Sequence, residues 1–177
     1  RIEHVVGILE THLRGWSAQK AMNIFKLHGW VASTSQAKQS QTSDSGSNGG
    51  AMLLHKPWLT SSVPAEAKGD CGQCLEESDV AYKYFRIKGL KICMVFVDLE
   101  HTIGITGPNL KKMQKIHALS DGGRVKLIIC GDFNMAPGEW YNTHFLELLN
   151  LRIVLPEGVD TTCKTTGGGL TTRLYPS

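Results

Sequence analysis

The segment Gly131-Asp132-Phe133-Asn134 directly follows the apolar run Val125–Cys130, and it constrains this chain more than any other feature. A short, continuous apolar run bounded by polar residues reads as a buried strand. An acid and an amide then stand just past its C-terminal end, where open α/β sheets place ligand-binding groups. Gly131 lets the backbone turn, and the two polar side chains alternate with Phe133, which can face the core. A carboxylate beside an amide suits a hard cation and a phosphate oxygen. The same four residues also satisfy an ordinary turn, because Asp and Asn favour turns for local reasons. The rest of the chain must decide between the two.

With 177 residues, 41% of them hydrophobic and 20% charged, the chain has the size and composition of one globular domain with a real core. No apolar stretch is long enough to span a bilayer. The net charge of +3 permits a polyanionic partner without demanding one. Of the five cysteines, Cys93 and Cys130 lie inside apolar strands and read as small buried hydrophobes. Cys71-Gly72-Gln73-Cys74 has the spacing of half a zinc site, but no second Cys or His pair at ligand spacing follows it, which favours an ordinary loop. An odd cysteine count without a secretory leader suits a reducing, intracellular compartment, nuclear or cytoplasmic. The chain opens at Arg1 and is strand-like almost at once, so the expectation is a piece of a longer domain.

Along the chain, Ile2–Leu9 reads as a strand rich in β-branched residues and runs into Glu10-Thr11-His12. Ser17 is the expected N-cap of a helix carrying Ala18, Ala21, Met22 and Phe25 at helical spacing, stopped by Gly29. Residues 33–50 and 61–79 are rich in polar residues, Gly and Pro and are expected to be flexible loops. Ala51–Leu54 reads as a strand, and Val80–Ile87 and Leu90–Leu99 as a hairpin turning at Lys88-Gly89. Helices are expected over 109–119 and from Glu139 to Leu149, followed by a strand over Leu151–Leu155 and a Thr/Gly-rich tail, Thr161–Ser177. Strands joined both by hairpins and by helices imply a mixed α/β layered fold. Two strand ends thus carry acids, Glu10 and Asp132. Such acids can converge on one divalent cation, which binds by one or two carboxylates together with water and phosphate oxygens.

Leu9-Glu10-Thr11-His12, Gly49-Gly50 before the Ala51 strand, and Gly131-Asp132-Phe133-Asn134 followed by Pro137 and Trp140 together resemble segments of the endonuclease/exonuclease/phosphatase superfamily, the exonuclease III-like phosphoesterases. Their order and spacing agree from about Arg1 to Leu155. The resemblance implies a four-layered α/β sandwich, here a partial one of mixed sheets flanked by helices over residues 1–177, incomplete at both ends. It also implies hydrolysis of phosphodiesters or phosphomonoesters with Mg²⁺ or Mn²⁺, acting on nucleic acid, with DNA the expected partner. Carried over, Glu10 is a metal ligand, Asp132 orients or activates the attacking water, and Asn134 binds the scissile phosphate. Gly107-Pro108-Asn109 is similar to retroelement-like members.

This chain also departs from the family pattern. No Asn-bearing strand precedes the Glu10 strand, Asp98 stands where a phosphate-contacting Tyr is usual, either adding negative charge where a phosphate should sit or acting as a substitute ligand, and Leu174 stands where the later Asp would be. The Ser-Asp-His segment, whose His stabilises developing charge on the phosphate, has no counterpart. Hydrolysis by this chain is therefore expected to be feeble or lost. The alternatives are a non-catalytic remnant that at most binds nucleic acid, or a fragment of a lipid or inositol phosphatase-like protein. Among the histidines, His12 reads as a hydrogen-bonding support for the Glu10 strand end, while His55, His101, His117 and His144 fit no catalytic role by context.

Overall fold

The computed structural model describes residues 3–43, 46–62 and 79–154. The β-branched run near the start forms β1 (Val5–Ile8), followed by α1 (Gly15–Leu27) and β2 (Val31–Ser35). The polar stretch that follows supplies β3 (Lys38–Gln39) and β4 (Ser47–Asn48), and then comes β5 (Ala51–His55). β5 is the centre of an antiparallel sheet in the order β1-β5-β2, and all five of its residues are buried, as befits a strand covered on both faces. α1 packs on β2 through the side carrying buried Ala18.

Two expectations change here. Ser17 is not the N-cap. Arg14 is, and Ser17 sits at N3, where its hydroxyl accepts from the Arg14 N–H at 3.1 Å and donates to the Arg14 carbonyl at 2.7 Å. The helix therefore starts earlier, with serine serving as the returning arm of the cap. The loop expected over 33–50 is also partly regular, because Ser33, Thr34 and Ser35 pair with Leu53, Met52 and Ala51 and β3 pairs with β4. A ladder is built from backbone groups and accepts polar side chains when these find partners. Thr34 Oγ1 donates to Ala51 O at 3.3 Å, and Lys83 Nζ donates to Ser33 Oγ at 3.0 Å.

The second sheet contains β6 (Ser61–Ser62), β7 (Val80–Ile87), β8 (Leu90–Asp98) and β9 (Lys126–Asp132), in that order across the sheet. β7 and β8 form the expected hairpin, with Lys88 (φ 48°) and Gly89 (φ 82°) both in the left-handed region that tight hairpin turns require. β9 pairs parallel to β8 after a crossover through α2 (Gly107–Leu119). Alternation along β8 sends Cys93, Val95 and Val97 into a fully buried face, while Met94 and Phe96 face the first sheet. There they join Ala51, Leu53, Ala81 and Phe85 in the core between the sheets. α2 packs on β8, and β5 lies against β7 and β8, so the layers run helix, sheet, sheet, helix. This is a mixed α/β fold, as expected.

Contacts divide the chain into two units, Arg1–Asn134 and Met135–Ser177. In the second unit the continuous helix expected from Glu139 to Leu149 is replaced by α3 (Pro137–Tyr141) and α4 (Phe145–Leu148). His144 lies between them at φ 57°, a left-handed residue that no helix continues through. Thr143 Oγ1 donates to Trp140 O at 2.7 Å, capping the first piece. The strand expected over Leu151–Leu155 is not formed in residues 151–154, since none of the strand pairings in the described residues reaches them. Leu155, residues 63–78 with Cys71 and Cys74, and the tail with Cys163 and Leu174 lie outside the described residues. No described helix is long and apolar enough to cross a membrane.

One glycine carries the β8–β9 junction. A Cβ added at Gly131 (φ 154°) would stand 1.8 Å from the carbonyl oxygen of Val97, which is backbone and cannot swing aside. Gly131→Ala is accordingly expected to lower stability in urea denaturation by more than about 2 kcal/mol. Gly122→Ala, with an open site and only its φ of 63° to strain, is expected to cost about 1 kcal/mol.

Candidate active site

The acid and amide of the Gly-Asp-Phe-Asn segment meet the end of β8. The parallel register sets Asp98 beside Asp132, and the Leu99 N–H extends the ladder by donating to Asp132 O at 2.9 Å. Asn134 adopts φ 48°, a conformation that Asn tolerates better than most residues. Its backbone N–H donates to Asp132 Oδ1 at 3.1 Å, and its Nδ2 donates to Leu99 O at 2.6 Å. Thus one Asp132 oxygen and one amide hydrogen are used in holding the turn. The other Asp132 oxygen, the second amide hydrogen and Asn134 Oδ1 remain for a ligand. The turn reading of the motif is therefore realised in these residues.

Glu10 follows β1 on the other sheet, at φ 49°. The residues after it are tied down by backbone bonds, with Thr11 N–H donating to Gly50 O at 3.0 Å and His12 N–H to Gly49 O at 2.9 Å. Gly50 (φ 89°) has no room for a side chain, because a Cβ there would lie 2.6 Å from Thr11 Oγ1 and 3.1 Å from the Ala37 nitrogen. The Gly-Gly pair thus exists to let the Glu10 segment close onto β5. His12 supports the same junction: its Nδ1 donates to Ser47 O at 2.6 Å while Ser47 Oγ donates back to His12 O at 2.6 Å.

Electrostatics link the two sheets. The Asp98 carboxyl is pushed up to about 6, first by burial and then by the negative charges of Glu10, Asp79 and Asp132, with Lys112 opposing. Lys112 is buried on α2. Its Nζ lies 2.8 Å from Asp79 Oδ2 and donates to Asp98 O at 2.8 Å. Asn109, one turn earlier, clamps the following loop by accepting from the Glu100 N–H at 2.8 Å and donating to Glu100 O and Gly104 O at 2.9 and 2.7 Å.

Sequence reasoning leaves Asp98 as a misplaced charge or a substitute ligand and passes over Asp79 and Lys112. A signal for Lys112 does exist, since it shares the buried α2 stripe with Asn109, Met113, Ile116 and Leu119. His55 is a core residue, with its ring edge against Phe85, Nδ1 donating to Lys56 O at 3.0 Å and Nε2 receiving Ser61 Oγ at 3.2 Å. Burial holds it below its ordinary pKa. His101, His117 and His144 are exposed. Among the described residues no three His, Cys, Asp or Glu side chains stand close enough to form a ready-made metal cage.

Because Asp98 titrates near 6 when folded and near 3.8 in an unstructured chain, the folded state binds the extra proton between those values. Its contribution therefore lowers stability as pH rises through that window, and the loss persists above it. With a chelator present, Asp98→Asn is expected to raise Tm at about pH 8 and to leave it nearly unchanged at about pH 4. Thermal unfolding across pH checks this.

No curated protein matches the sequence. Among solved structures, the catalytic domain of human Nocturnin with a bound sulfate anion is similar with a TM-score of 0.53 at 16% identity, covering 81% of this chain and 55% of that one. Beta toxin from Staphylococcus aureus gives 0.49 at 16% identity, covering 86% and 60%. D. rerio TDP2 complexed with single strand DNA product gives 0.45 at 15% identity, covering 78% and 51%. The chain thus spans about half the length of these structures, and the Nocturnin likeness speaks for the fold. The sequence pattern of the Endonuclease/Exonuclease/phosphatase family matches residues 2–176, nearly the whole chain, and the chain belongs to that family.

Proposed function

We propose that this chain carries the metal-binding half of a phosphodiesterase site that acts on nucleic acid. The observation that supports this reading best is the parallel register that sets Asp98 beside Asp132, where burial first, and then the charges of Glu10, Asp79 and Asp132, push the Asp98 carboxyl up to about 6. That excess of hard oxygen donors, opposed by Lys112 alone among the named charges, fits a divalent cation such as Mg²⁺ or Mn²⁺. Glu10 and Asp98 would hold it. A cation bound there supplies charge neutralisation for the phosphodiester and its leaving oxygen.

The protein's own groups do the rest. Asp132 has one oxygen engaged by the Asn134 N–H, so its other oxygen orients the attacking water and accepts its proton. Asn134, with one amide hydrogen anchored on Leu99 O, presents the second to a phosphate oxygen. Lys112 ties β8 to α2 and keeps Asp98 and Asp79 from repelling each other apart. A second reading, a remnant without turnover that at most binds a polyanion, is favoured by the same Asp98 charge only as regards turnover, since it repels phosphate from the acids whenever no cation is present.

Hydrolysis of plain duplex, abasic duplex and single-stranded DNA separates the two. The expected result is slow cleavage that requires Mg²⁺ or Mn²⁺ and stops with chelator. Asp132→Ala is expected to reduce it about a hundredfold or more, and Asn134→Ala about tenfold or more. Equal rates for wild type and Asp132→Ala contradict the assignment, and salt-sensitive binding with no cleavage selects the second reading.

A further inference from the structure

We infer that Trp16 is a stacking platform for a nucleobase flanking the phosphate at the acid edge; this rests on the phosphodiesterase reading and deepens it. Trp16 is 74% exposed at the start of α1, and the Lys20 ammonium lies 5.0 Å from its ring centroid. An indole held out in water under a cation offers a π-face and a phosphate-binding charge together, the combination that single-stranded nucleic acid uses.

Trp16 follows Glu10 by six residues, and the segment between them is braced against residues 36–39 by hydrogen bonds. Gly15 N–H donates to Gln36 Oε1 at 2.8 Å, Arg14 Nη1 donates to Gln39 Oε1, and Ala37 N–H donates to Leu13 O at 2.9 Å, three residues after Glu10. The chemistry changes sign along this path. Residues 11–43 contain no Asp or Glu, while Arg14, Lys20, Lys26 and Lys38 are cationic. Among the described residues none of Arg14, Lys20 and Lys38 forms an ion pair.

A polyanion whose scissile phosphate sits at the acids thus meets, in the segment that follows Glu10, cations for its neighbouring phosphates and the Trp16 indole beside Lys20. Charge complementarity selects a polyanion, and the phosphodiesterase reading makes that polyanion a nucleic acid strand. α1 also exposes Ile24 and Leu27, so an anionic membrane surface is the rival occupant that the vesicle measurement tests.

The test measures binding of the whole chain to a fluorescently labelled single-stranded DNA and to an abasic oligomer with the same backbone charge but no bases. Trp16→Ala is expected to weaken binding of the base-bearing strand about tenfold and to leave the abasic oligomer unchanged. Trp16→Phe is expected to restore most of the loss, and Trp58→Ala to bind like wild type. Circular dichroism checks that each variant is folded. The inference is overturned if Trp16→Ala binds DNA like wild type, if it weakens both oligomers equally, or if Trp16 acts instead on vesicles of phosphatidylserine and phosphatidylcholine. Cleavage assays on the wild-type chain separate the two proposals: with no cleavage of any DNA but Trp16-dependent binding intact, the hydrolytic reading fails and the platform stands.

Discussion

The candidate site depends on the parallel pairing of β8 with β9. Two strands that run together and end level bring Asp98 beside Asp132 although a helix and a long crossover separate them in sequence. The pairing is close enough that the Val97 carbonyl occupies the space a side chain at Gly131 would need. The glycine of the Gly-Asp-Phe-Asn segment is thus a structural requirement, and the acid and amide after it are placed by that requirement. Leu99 completes the arrangement by donating to Asp132 and accepting from Asn134. The Gly-Asp-Phe-Asn motif is also the way the sheet ends.

The cost of this arrangement is electrostatic. Carboxylates gathered from two sheets repel one another, and in a partly desolvated place the repulsion is weakly screened. The chain meets part of that cost with Lys112, buried against Asp79 and the backbone of Asp98. What remains uncompensated appears as the raised carboxyl of Asp98. A residual charge of this kind is unfavourable in an empty protein and favourable towards a cation, which is why it supports the functional reading.

The apolar strands were legible because burial imposes a period. β5 and the β7–β8 hairpin stand where the hydrophobic pattern and Lys88-Gly89 put them. β2, β3 and β4 were hidden because backbone pairing leaves no hydrophobic trace in Ser and Thr. The break at His144 was hidden too, since Tyr141, Phe145 and Leu148 keep helical spacing through a left-handed residue. Glu10, Asp132 and Asn134 could be read from chemistry and resemblance. Asp98 read along one dimension as either an obstacle or a substitute ligand, and the β8–β9 register is what sets it beside Asp132. Gly49 and Gly50, weak as a motif, gain a reason in the docking of the Glu10 segment.

The central claim is that these strand ends form one cation site facing a phosphate. Paramagnetic broadening of backbone amide NMR signals by substoichiometric Mn²⁺ tests it most directly. The account predicts broadening centred on Glu10, Leu99 and Phe133, reversed by excess Mg²⁺. Broadening centred elsewhere, such as around Asp121, or none at the strand ends, would contradict it.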